Sequence, residues 1–318
     1  IAQCLVGSEM CIRDRAIRKP NGEIEVELEN HQGVGGNSVF KNLPFIRGIF
    51  NFVDSMVLGT RCLNFSAEFY EDEEEQETKF DKFLNKITGG KAEKVLSAFV
   101  VAFSVILAVA IFVVLPYFIT SLFKAYVRSS ILMTIIEGCI RILIFLLYVV
   151  GISAMKDIKR LYMYHGAEHK CINCIERGKP LTVRNVMRSS RLHKRCGTSF
   201  MFFVLFISII LFFFIQVSNP VLKIVLRILL IPVIAGISYE IIRLAGRSDN
   251  IFIKILSAPG MAIQKLTTKE PTKDMVEVGI ASVEAVFDWK KFLIEEFNYD
   301  PSYFEEESSE NTEEDEQA

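Results

Sequence analysis

Between Val95 and Phe123 the chain runs for 29 residues without a charged side chain. A helix needs only about 20 such residues to cross a hydrocarbon core of about 30 Å, so this stretch predicts a transmembrane span. Three later stretches carry the same signal. Ile131 to Met155 predicts a second span, in which Glu137 and Arg141 are spaced to neutralise each other on one helical face. Gly197 to Val217 predicts a third, and after an Asn219-Pro220 turn Val221 to Ile242 predicts a fourth that carries Lys223, Arg227 and Glu240. For Glu240 the expected partner is Arg243 or Arg141, and a sharper reading makes it an additional metal ligand or base reaching into the basic loop. With 51% hydrophobic residues and 26 Phe in 318, the chain is too apolar for one or two soluble domains. The expected fold is mainly α, a polytopic helical membrane protein of about four spans with a small N-terminal β-hairpin and cytoplasmic helices.

The rest of the organisation follows from shifts in composition. Residues 1–15 have neither the length nor the flanks of a signal peptide and read as foreign sequence, so Cys4 and Cys11 carry no functional argument. Residues 16–94 form an N-terminal cytoplasmic region. There Asn21-Gly22 marks a turn, and Glu23 to Leu28 alternates with period two, as a hairpin strand does. Pro44 to Leu63 mixes apolar positions with Arg47, Asp54 and Arg61, which predicts an amphipathic helix lying on the membrane or packed against the bundle. Glu71 to Glu77 reads as an acidic linker. Spans one and two occupy residues 95–155, a basic loop 156–196, and spans three and four 197–243. In the C-terminal helical region, 244–304, Ser257 to Gly260 predicts a turn and Val276 to Phe287 a helix. The tail, 305–318, has eight acids in fourteen residues and predicts disorder.

Charge placement predicts orientation. Lys156 to Cys196 holds eleven Lys and Arg against three acids, whereas the connection between the first two spans holds only Lys124 and Arg128. By the positive-inside rule the long loop is cytoplasmic, and an even span count makes both termini cytoplasmic too. Such a loop meets anionic headgroups of the lipid bilayer. Nucleic acid is excluded as a partner because the loop lacks interleaved aromatics and the net charge is −2. The seven dispersed cysteines do not form a secreted disulfide framework.

Three of the four histidines, His165, His169 and His193, fall within 29 residues of that loop. A helix through Tyr164 to Lys170 places His165 and His169 one turn apart on one face, as two imidazole ligands of a single zinc require. With Glu168 this is an H-x-x-E-H order, in which the carboxylate can serve as general base. His193 and Cys196 follow as candidates to close a tetrahedral shell, a donor set suited to zinc. Gly166 counts against the helix, and Cys171 to Cys174 adds a C-x-x-C spacing that is weak by itself. Read from residues alone, the cluster is a metal site, a hydrogen-bonded structural network or a headgroup site.

Tyr164-His165-Gly166-Ala167-Glu168-His169-Lys170, Arg191 to Phe200 and Leu266 to Pro271 together resemble the bacterial YqhQ-like membrane proteins, a domain-of-unknown-function family. Leu43 to Gly48, Asn64 to Glu68, Ala235 to Glu240 and Arg243 to Arg247 extend the resemblance over roughly Ala16 to Phe287. It implies a metal-dependent enzyme of the bacterial cytoplasmic (inner) membrane, with a divalent metal, zinc, at His165, His169, His193 and Cys196, and Glu168 as the catalytic carboxylate. It implies no substrate. A zinc-dependent hydrolase is the leading reading. The competing class is a non-enzymatic scaffold or assembly partner with a structural His/Cys site, and a transporter is disfavoured by the absence of paired Gly/Pro-broken spans.

Overall fold

The computed structural model describes residues 12–19, 21–30, 43–68, 92–194, 196–215, 217, 219–247 and 250–304. The expected acidic linker and tail, and most of the stretch expected to be foreign, lie outside the described residues.

The hairpin pairs β1 (Ile12–Arg18) antiparallel with β2 (Ile24–Asn30), so β1 includes residues 12–15. Its loop is closed by Lys19 N donating to Glu23 O at 2.8 Å, and Gly22 supplies the positive φ of 91° that a side chain would resist. Helix α1 (Ile46–Glu68) follows.

Among the described residues three helices are long and apolar enough to cross a membrane: Phe99–Ser121, Ile131–Ser153 and Val221–Leu244. The first is built from α2 (Ala92–Val109), a π-helical turn (Ala110–Val114) and α3 (Leu115–Ser121). Pro116 accounts for the wide turn, because it has no N–H to donate and its ring presses on the preceding turn. The second span lies in α4 (Ser130–Ser153). The third joins α8 (Pro220–Leu229) to α9 (Ile231–Arg247), opened by Asn219 Oδ1 accepting from Val221 N and Leu222 N with Pro220 in the first turn. The remaining expected span forms α7 (Gly197–Phe213), only 17 residues and about 25 Å long. The uncharged run there is long enough to span, but its helix stops at Phe213.

The ion pair foreseen in α4 has a third member. Glu137 accepts from Arg141 at 3.0 Å and from Arg227 at 2.9 Å, with all three side chains under 10% exposed. Both guanidinium groups also stack on Phe212. Glu240 pairs with Arg47 of α1, not with Arg243 or Arg141 as expected. Arg47 lies 193 residues away in sequence, beyond any local spacing rule.

Outside the spans, α5 (Lys156–Glu176) and α6 (Val183–Arg188) pack with α11 (Lys273–Val286) and α12 (Trp289–Phe297) around Cys171, Ile175, Val186, Val276 and Leu293. The hairpin lies on α11, tied by Arg18 to Glu277 at 2.6 Å. The turn expected at Ser257 to Gly260 is instead interior to α10 (Ile251–Thr267), which packs on α7 and α4. Pro259 lacks a donor but does not end the helix.

Candidate metal centre

Helix α5 is separate from α4, restarting at Lys156 after a break at Ala154 and Met155. It places His165 and His169 one turn apart with ring centroids 4.4 Å from each other. Cys196 reaches them from a second element, as the residue that caps α7. His165 Nε2 and Cys196 Sγ are 3.2 Å apart, and the candidate donor atoms of His165, His169 and Cys196 all lie within 4.8 Å of one another.

The orientation of both imidazoles is set by main-chain carbonyls. His169 Nδ1 is 2.7 Å from Arg191 O, and His165 Nδ1 is 3.2 Å from Thr267 O. A carbonyl oxygen only accepts, so each Nδ1 carries a proton, and in the neutral ring the lone pair lies on Nε2. This is the arrangement by which outer partners fix the tautomer of a metal-ligating histidine. His169 is fully buried, and its Nε2 has no hydrogen-bond partner among the described residues. Leaving such an acceptor unsatisfied costs about 1–3 kcal/mol. Cys196 is 1% exposed, and its sulfur lies 3.4 Å from the Thr198 amide and 3.1 Å from the Thr198 hydroxyl.

The carbonyls are held in place by a bracket of buried polar side chains. Lys170 donates to Met187 O and Ser189 O at 2.8 and 3.0 Å and pairs with Glu270. Asn173 donates to Ser190 O and Leu192 O at 2.8 and 3.0 Å. Gln264 of α10 accepts from His193 N at 2.9 Å and donates to His193 O and Ser199 Oγ, both at 2.7 Å. Gly166 is needed for the Thr267 contact, since a Cβ there would come 2.1 Å from Lys269 O. That close approach, supported by Lys269 N donating to Tyr162 O at 2.9 Å, carries Thr267 across α5. What counts against the helix in propensity is what the docking of Thr267 to Lys269 requires.

The donor group does not take in every residue expected. His193 is 4% exposed and stacks near His169, ring centroids 5.8 Å apart, but its Nε2 faces Glu176 at 3.2 Å. Burial pushes its imidazole down to about 4, so it is neutral at physiological pH. Glu168 lines a small pocket with Ala16, Tyr164 and Val278. Cys171 and Cys174 are both buried, and burial pushes their thiols up. Cys174 Sγ donates to Pro180 O at 3.3 Å, and Cys171 Sγ lies against Gly279. The C-x-x-C pair belongs to the packed core, outside the donor group.

Arg191 O, Thr267 O, Thr198 and Gln264 are the participants that residue patterns missed. Carbonyl oxygens leave no mark in sequence; the unusual mid-helix Gly166 was the one available signal.

Residues 43–289 match the family described as protein of unknown function, DUF1385. An uncharacterized protein of Bacillus subtilis (strain 168), YqhQ, is 33% identical over 290 residues, covering 91% of this chain and 90% of that protein. No solved structure matches. A match over most of its length places this chain in the DUF1385 family.

Proposed function

We propose that this protein is a multi-pass metalloprotein of the bacterial inner membrane, a zinc-dependent hydrolase in which His165, His169 and Cys196 hold the metal and Glu168 is the general base. The observation that carries the metal reading is the pair of Nδ1–carbonyl bonds, which fix two imidazoles beside one buried sulfur, with His165 Nε2 against it and the donor atoms of all three residues within 4.8 Å of one another. Two imidazoles and a thiolate suit borderline-soft zinc better than magnesium or calcium. His165, His169 and Cys196 would hold zinc as three protein donors, and the ion would supply Lewis acidity and bring the pKa of a water to about 7. Glu168 would take the proton from the attacking water. In this reading α7 is a fourth membrane helix, and the loop 156–196 and both termini are cytoplasmic, beside anionic headgroups.

A closed structural site is the second reading, favoured by the burial of His169 and Cys196. The test is elemental analysis of the detergent-purified protein, followed by assay against ester, phosphoester and peptide panels. About one equivalent of zinc, retained in Glu168→Gln while hydrolysis is lost, supports the enzyme. Zinc with no hydrolysis supports the scaffold, and no zinc sinks both metal readings. A reporter fused near Lys179 tests orientation, and a periplasmic signal would overturn it.

A further inference from the structure

Helices α1 and α10 are amphipathic in the sense opposite to that of a helix on a water-facing surface. On α10, Ser257, Gly260, Gln264 and Thr267 are buried, and Ile251, Ile255, Ala258, Pro259 and Ala262 are exposed. At 3.6 residues per turn each set occupies roughly a quarter of the circumference, on opposite sides. Ile251 and Ile255 are 61% and 65% exposed, whereas Gln264 is fully buried. On the first half of α1 the polar Arg47, Asn51 and Asp54 turn inward with Gly48, and Ile46, Phe52, Val53 and Met56 turn outward; beyond Met56, Leu58 turns inward and Thr60 and Arg61 are exposed. A surface helix in water shows the reverse, with its apolar stripe to the core and its polar residues outside.

We infer that the outward faces of α1 and α10 lie in the hydrocarbon of the bilayer, so that two helices outside the set of spans are embedded alongside them. Contact depth supports this. A Cβ added at Gly236 would lie 2.6 Å from Phe45 O, and one at Gly48 would lie 2.7 Å from Tyr239 Cβ. Gly236 is eight residues before Leu244, where the span ends, and so about 12 Å inside it. The chain leading into α1 thus meets α9 within the spanning segment. The inward polar groups are satisfied as hydrocarbon demands: Arg47 pairs with Glu240, and Asn51 donates to the Tyr239 hydroxyl at 2.7 Å. On α10, exposed Lys254 and Lys265 flank one edge of the apolar stripe, where long side chains reach the headgroup level. Both helices pack directly on membrane helices, α1 on α9 and α10 on α4 and α7, so their outer faces continue a surface already facing lipid.

The test uses the full chain in phosphatidylcholine–phosphatidylglycerol vesicles, with Ile255→Trp and Met56→Trp made separately. Trp289, the sole native Trp, is buried, so the parent chain supplies the baseline. Emission from each added Trp should fall at least twofold with acyl-brominated lipid and hardly change with aqueous iodide. Glu295→Trp, at an exposed site on α12, should show the opposite pattern. Iodide quenching at positions 255 and 56 would overturn the inference. So would protection from both quenchers, which would mean that a second copy or another protein covers these faces. Should Met56→Trp fail to fold, Val53→Trp reads the same face of α1.

Discussion

His169 donates its Nδ1 proton to the main-chain carbonyl of Arg191 across 2.7 Å, leaving its Nε2 as a buried acceptor with no partner among the described residues, on a ring grouped with His165 and Cys196. A structural network would be expected to satisfy that nitrogen. Its lone pair, in a group with a thiol and a second imidazole of the same tautomer, is what a metal would complete.

Replacing His165 and His169 together by Ala should lower bound zinc from about one equivalent to below a tenth. Asn173→Leu, which releases the loop holding Arg191 without touching a ligand, should weaken zinc about 10–100-fold. Chelator competition measures both. Unchanged retention in the double variant would contradict the site.

Gly166→Ala should destabilise the protein by about 3 kcal/mol despite Ala being the better helix former, because the new methyl meets Lys269 O. Thermal unfolding in detergent would show it. A neutral or stabilising result would mean that the Thr267–Lys269 segment does not dock on α5 this closely.

Glu137→Ala should cost about 3–5 kcal/mol, since it strands two guanidinium groups buried at membrane depth. Pairing it with Arg227→Met should recover part of the loss. Equal stability of Glu137→Ala and the parent would show that water reaches the triad.

Gln264→Leu removes three hydrogen bonds among α10, the loop and α7, and leaves His193 N and O in need of partners. An unfolding penalty of about 2–4 kcal/mol is expected, together with weaker metal retention. Loss of stability with full metal retention would confine Gln264 to the fold.

In the native protein at pH 7, maleimide should leave Cys171 and Cys174 unmodified, as burial disfavours both thiolates. Peptide mapping before and after denaturation reads this directly, and native labelling of either would contradict the packing around α5.

The spans at Phe99–Ser121, Ile131–Ser153 and Val221–Leu244 were legible because hydrocarbon demands long uncharged runs, and such runs are a property of adjacent residues. The hairpin and the His165/His169 pair were legible for the same reason, each following a local period of two or four. Ser257 to Gly260 misled because the cost of Pro and Gly in a helix interior, about 3 and about 1 kcal/mol, is outweighed here by packing of α10 on α7. Only the tertiary structure decided that Cys196 joins the two histidines while His193 turns to Glu176, that Arg47 answers Glu240, and that Arg227 completes the Glu137 pair. The physical reason is common to all three. A contact between residues far apart in sequence depends on how helices cross, and in the site itself much of that geometry is carried by main-chain carbonyls, which every residue has and no sequence distinguishes.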